Sequence, residues 1–162
     1  MLGTILQDPF LKEGSKVNLE QSIKGIGLLP LKTTFLESKI TRQINSESFW
    51  PSLSEINGFE IHNGVTELDR SQDTSKIKPI FNGLDLGWYK ENSQGGNIAG
   101  TYIHGIFEND DWRDHYINLI RKNKSLPKLD KKTRSYKIKR ESIIDNLANE
   151  FNKNFNISSL LN

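Results

Sequence analysis

The chain has 162 residues, 35% apolar and 26% charged, with a formal net charge of +2; this is enough for one ordinary domain with its own core, and it excludes a disordered polar tail. No apolar run approaches the roughly 20 residues that span a bilayer, and the opening MLGTILQDPF lacks the basic and apolar regions of a signal peptide, so the chain is read as cytoplasmic, with no membrane partner. It holds no cysteine, which excludes disulfides, thiolate metal sites and a cysteine nucleophile among these residues, and its three histidines, His62, His104 and His115, sit in unrelated contexts and make no metal cluster.

Met1, Leu2, Ile5 and Leu6 fall at helical spacing and predict the second half of a buried helix ending at Gln7-Asp8-Pro9. No capping residue precedes them, so the domain is expected to be truncated at its front. Gly25-Ile26-Gly27-Leu28-Leu29-Pro30 leads into a predicted strand over 31–35, and the alternation at 40–44 predicts its antiparallel neighbour. Asn57-Gly58 predicts a turn, followed by a short strand over 59–62 closed by Asn63-Gly64. Residues 66–80 read as a loop, 84–90 as a strand, 94–97 as a turn, and 98–103 as a buried strand ending at His104-Gly105.

Two helices follow. In 111–123, Trp112, Tyr116, Leu119 and Ile120 share one face, with acidic residues at the start and Arg121 and Lys122 at the end, as the helix dipole prefers. In 141–154, Ile143, Ile144, Leu147 and Phe151 form a second stripe. Between them, residues 121–140 carry ten Lys/Arg and one Asp, and the rest of the chain is net acidic. A basic run can bind an anionic partner. It lacks the interleaved aromatics of a nucleic-acid stacking surface, so a solvated connector is the favoured reading and nucleic acid is not an expected partner. About five strands and two helices predict a mixed sheet that is not fully covered, again as if N-terminal elements were missing.

Two segments could carry chemistry. Gly100 to Phe107 is an apolar strand that delivers His104 at its C-terminal end, where ligands bind in open α/β sheets. A neutral imidazole there can act as a general base; equally, it can be a structural histidine capping the strand. In Glu60-Ile61-His62-Asn63-Gly64, Glu60 and His62 share a strand face and could be metal ligands, a general-acid pair or an ion pair. Without a third ligand, the ion pair or hydrogen-bonded core is preferred. Gly25-x-Gly27 is a weak phosphate loop, since no third glycine or helix follows in register. His115 lies within a helix and reads as structural.

Taken together, these segments resemble the CobB/CobQ-type glutamine amidotransferase domain of the cobyric acid synthase family. Met1-Leu2-Gly3 is similar to the tail of that family's nucleophile motif, Cys-Gly-Gly-aromatic-Gln-Met-Leu-Gly, and Asp8-Pro9 to the Asp-Pro after it. Gly25-Ile26-Gly27-Leu28-Leu29 resembles Gly-Leu-Gly-Leu-Leu, and Phe35, Lys39, Thr41 and Arg42 match the paired strands that follow. Gly58 to Thr66 resembles Gly-Tyr-Glu-Ile-His-x-Gly-x-Thr, and Gly100 to Phe107 with Asn109 resembles Gly-Thr-Tyr-Leu-His-Gly-Ile-Phe-Asp-Asn.

The resemblance implies an α/β fold: an incomplete class I glutamine amidotransferase-like domain with a mixed open sheet and flanking helices. Residues 1–122 would be its distal part, and 123–162 a basic connector and C-terminal helix of the same domain. It implies release of ammonia from glutamine for amidating carboxylates of cobyrinic acid a,c-diamide in cobalamin synthesis, with His104 assisting proton transfer. Glu60, Ile61, His62, Asn63 and Gly64 would border the same cleft on the Met1 side and present backbone groups to glutamine. No cofactor is expected in this chain; ATP and Mg are implied for the family's N-terminal synthetase domain, a partner missing here. The family's cysteine lies before Met1, so the chain is expected to be inactive alone and marginal in stability. Many related amidotransferases place a Glu two residues after the histidine, where this chain has Ile106. Two other readings stay open: a non-catalytic module that holds a partner through 121–140, and a related amidotransferase for another substrate, such as a cell-wall lipid.

Overall fold

The computed structural model describes residues 1–11, 22–92, 96–129 and 135–155. The chain divides into two compact units, Met1–Lys128 and Leu129–Asn162. Among the described residues the first unit holds eight strands: β1 (Ile5–Gln7), β2 (Ser22–Lys24), β3 (Leu31–Ser48), β4 (Ser54–Leu68), β5 (Ile77–Phe81), β6 (Leu84–Glu91), β7 (Asn97–Thr101) and β8 (Ile103–His104). A short 3-10 turn over Ile106–Glu108 and helix α1 (Asp110–Asn123) follow.

The strands form one mixed sheet, ordered β2-β1-β3-β5-β6-β7, with β4 pairing β3 on one side and β8 on the other. Only β1 and β3 run parallel; the other pairs are antiparallel. The mixed sheet with a flanking helix agrees with the expected α/β fold. β3 meets β5 only at Ser48 and Phe81. Ile44 and Ile56 of the β3–β4 pair and Ile80, Phe81, Leu86 and Tyr89 of β5–β6 nevertheless share one core, which Trp50, Ile103, Ile106 and Trp112 complete. Trp112 anchors α1 there and donates its indole N–H to the Trp50 carbonyl at 3.0 Å. A smaller cluster joins Leu29, Leu31 and Trp88.

Several sequence expectations give way. The segment after Met1 is not helical: residues 5–7 form a strand, because Thr4 and Gly25 close backbone bonds that lock β1 between β2 and β3. Residues 31–35 and 40–44 are not two paired strands but one long strand, interrupted by a register shift between Phe35 and Ile40, and their partner is β4. Asn57-Gly58 and Asn63-Gly64 are not turns; both lie inside β4. The expected loop over 66–80 shrinks to residues 69–76, its ends being drawn into β4 and β5. Part of the predicted 94–97 turn and part of the 121–140 run lie outside the described residues.

On α1, Trp112 is buried and Tyr116 and Leu119 pack on the core, whereas Ile120 is exposed. The second unit contributes α2 (Tyr136–Asn154), which starts earlier than expected and buries no residue; its stripe of Ile143, Ile144, Leu147 and Phe151 is exposed. No helix of the described residues is long and apolar enough to cross a membrane.

Candidate functional site

Both candidate segments meet in the sheet. β8 pairs with the centre of β4, with Phe59 opposite His104 and Glu60 opposite Ile103. Directly opposed residues of antiparallel strands project to the same face. Phe59 and His104 therefore share the outer face, where both are exposed, while Glu60 and Ile103 point into the core side, where both are buried. Ile61 alternates out with Phe59. Residues 59–64 thus adjoin His104 through their backbone, whereas the side chains of Glu60 and His62 lie across the sheet from its ring.

Glu60 is only 2% exposed and fully partnered. Its Oε2 accepts from Arg42 Nε, and its Oε1 takes the His62 Nε2–H at 2.8 Å. The Gly64 N–H donates to His62 Nδ1 at 3.2 Å, which sets the imidazole as the neutral Nε2–H tautomer. The ring then stacks on Tyr102, with centroids 4.5 Å apart. The Tyr102 hydroxyl meets Thr66 Oγ1 at 2.6 Å, and Thr66 meets Thr33 at 2.7 Å. Glu60 and His62 thus form a hydrogen-bonded pair. Among the described residues no three His, Cys, Asp or Glu gather to hold a metal.

A pocket of about 210 Å³ opens beside Met1, lined among others by Leu2, Leu29, Thr66, Trp88 and Tyr102. His104 is not among its lining residues. Glu60, His62 and Arg42 line a neighbouring cavity of about 610 Å³, which shares Thr66 and Trp88 with the first. Gly25 and Gly27 make no phosphate cradle: their N–H groups donate to the Thr4 and Gly3 carbonyls at 2.8 and 2.9 Å, and a strand follows rather than a helix.

Residues 1–112 match the CobB/CobQ-like glutamine amidotransferase domain. This chain belongs to that amidotransferase family. It is 83% identical over 162 residues to a cobyric acid synthase of Prochlorococcus marinus subsp. pastoris, covering 100% of the chain and 32% of that protein. It is 74% identical over 162 residues to the cobyric acid synthase of Prochlorococcus marinus strain MIT 9312, with coverage of 100% and 32%. It is 40% identical over 166 residues to that of Synechococcus sp. strain CC9311, again with 100% and 32%. The chain spans about a third of the length of the curated relatives it matches.

In this amidotransferase chain the structure adds residues that sequence reasoning left without a role. Gly58 lets β8 approach: a Cβ there would stand 2.5 Å from the His104 carbonyl oxygen and 2.5 Å from Ile103 Cγ2. Its place in an Asn-Gly pair read as a turn, so nothing in the local pattern betrayed it. Tyr102, Thr66 and Thr33 were legible only as motif letters or strand positions. The His104 ring forms no hydrogen bond among the described residues, so its position follows from its backbone.

Proposed function

We propose that this chain is part of the glutamine-hydrolysing site of a cobyric acid synthase, supplying ammonia for the amidation of cobyrinic acid a,c-diamide carboxylates. The observation that carries the reading is the exposed His104, at the end of β8 and against the backbone of Phe59 to Gly64, in a chain whose family supplies the reaction. A cysteine thiolate from outside these residues would attack the glutamine carboxamide carbon, since the sequence holds no cysteine. His104 would deliver a proton to the departing ammonia and then take one from the water that cleaves the thioester to glutamate. Backbone groups of residues 60–64 would hold the glutamine. ATP and Mg would belong to the rest of the protein, with the reaction in the cytoplasm.

The test compares two arms in the protein of the relatives' length. His104→Ala is expected to lower glutamine hydrolysis by about 100-fold or more, while ATP-dependent amidation fed with free ammonia continues. The 162-residue chain alone is expected to release no ammonia from glutamine. Hydrolysis by His104→Ala at wild-type rates would exclude the assignment.

A further inference from the structure

Asn109 stands at the N-cap of α1, where an asparagine side chain ordinarily accepts from an early helical N–H. It makes no such bond here. Instead Oδ1 accepts from the Asn57 N–H at 2.8 Å, and Nδ2 donates to the Asn57 carbonyl at 2.9 Å. The carboxamide thus takes the place of a strand residue opposite β4, just beyond the end of the two-residue β8 ladder. Nδ2 also reaches the carbonyls of Ile106 at 3.0 Å and Gly105 at 3.3 Å. The Asn57 N–H must face an oxygen, which fixes the orientation of the amide.

These bonds enclose the turn that follows His104. Gly105, at φ 80°, bends the chain immediately after the histidine, and the turn closes through Glu108 N–H on the Gly105 carbonyl at 2.8 Å. β8 is held to β4 by only two residue pairs. With no hydrogen bond on the His104 ring among the described residues, the imidazole sits where those two pairs and the Asn109 link put it. The helix forgoes its side-chain cap, and the same amide ties the backbone on the far side of the histidine to β4.

We propose that Asn109 is a positioning residue for His104: a side-chain clamp that extends the β4–β8 ladder past the histidine and sets the imidazole's place. Its catalytic meaning rests on the reading of His104 given above.

The first arm of the test uses the 162-residue chain, with histidine ring and backbone amide resonances followed by NMR. Asn109→Ala and Asn109→Asp are expected to shift and broaden the His104 ring signals, leaving those of His115 in place. Amide exchange at His104 should speed up about tenfold, the equivalent of one or two lost hydrogen bonds. Asp keeps the acceptor for Asn57 N–H but sets a carboxylate against three carbonyls, so it should rescue nothing. Asn57→Ala keeps the backbone groups that Asn109 uses and should match wild type, whereas an unchanged His104 in Asn109→Ala overturns the clamp.

The second arm uses the longer protein that carries a cysteine. Asn109→Ala is expected to lower kcat for glutamine hydrolysis by up to about 100-fold, as a small misplacement of a reacting group does, with KM little changed. An unchanged kcat, or an effect confined to KM, overturns the positioning role. Full activity in His104→Ala would instead overturn the catalytic reading, and the first arm alone would then decide the clamp.

Discussion

Replacing Gly58 by alanine tests how β8 is held. The added Cβ would lie 2.5 Å from the His104 carbonyl oxygen and 2.5 Å from Ile103 Cγ2. An ordinary carbon–oxygen contact is about 3.3–3.6 Å, so β8 has to retreat by roughly 1 Å. The oxygen belongs to the backbone and cannot swing aside, and the pairs Phe59–His104 and Glu60–Ile103, with the Asn109 link just beyond them, resist the retreat. Overpacking of this kind costs about 1–3 kcal/mol. The stiffer unfolded chain returns about 0.4–1 kcal/mol in favour of alanine. A net loss of about 1–2 kcal/mol should lower Tm by roughly 2–8 °C in a domain of this size. Thermal unfolding measures the loss, and amide exchange at His104 locates it. Gly100→Ala is the control, since its Cβ would meet the rotatable Leu2 Cδ1 at 3.0 Å and Leu29 Cδ1 at an ordinary 4.0 Å. Should Gly58→Ala be as stable as Gly100→Ala, with equal protection at His104, the packing argument fails.

Glu60→Ala leaves the His62 Nε2–H without its acceptor, while the half-exposed Arg42 can turn to water; a cost of about 1–3 kcal/mol is expected in urea unfolding. Glu60→Gln keeps an acceptor and should lose clearly less, so equal losses would tell against the His62 bond as the cause. Asp69 accepts from the hydroxyls of Ser71 at 2.6 Å and Thr4 at 2.7 Å, and these bonds, Ser71 first, hold its carboxyl below the usual range. The folded chain then binds fewer protons than the unfolded one between the two pKa values, so this contribution is complete above about pH 4 and fades as pH falls through the lowered value. Thr4→Val with Ser71→Ala should flatten the acid side of the stability profile, and an unchanged slope would count against the linkage.

The sequence alone determined the type of those later elements whose periodicity is strong: α1 carries Trp112, Tyr116 and Leu119 on one face, and β6 follows its apolar run, whereas the single buried strand expected over 98–103 is split into β7, which is only partly buried and pairs with β6, and β8, which pairs with β4. It also placed His104 at the end of a strand and Glu60 with His62 on one strand face, since alternation needs no knowledge of partners. Tertiary structure decided which face each group occupies relative to the other. Along β4 the inward residues run Ser54, Ile56, Gly58, Glu60, so the apolar pattern inverts and Phe59 and Ile61 face outward. No local pattern predicts that inversion, because it depends on β8 lying against Gly58 and on Arg42 and His62 satisfying a buried carboxylate. Likewise Asn57-Gly58 is a turn by composition and a strand in fact, since long-range pairing with β3 outweighs local turn preference. Asn109 is a motif letter in sequence and becomes a strand partner only because the fold brings Asn57, 52 positions away, within hydrogen-bond reach.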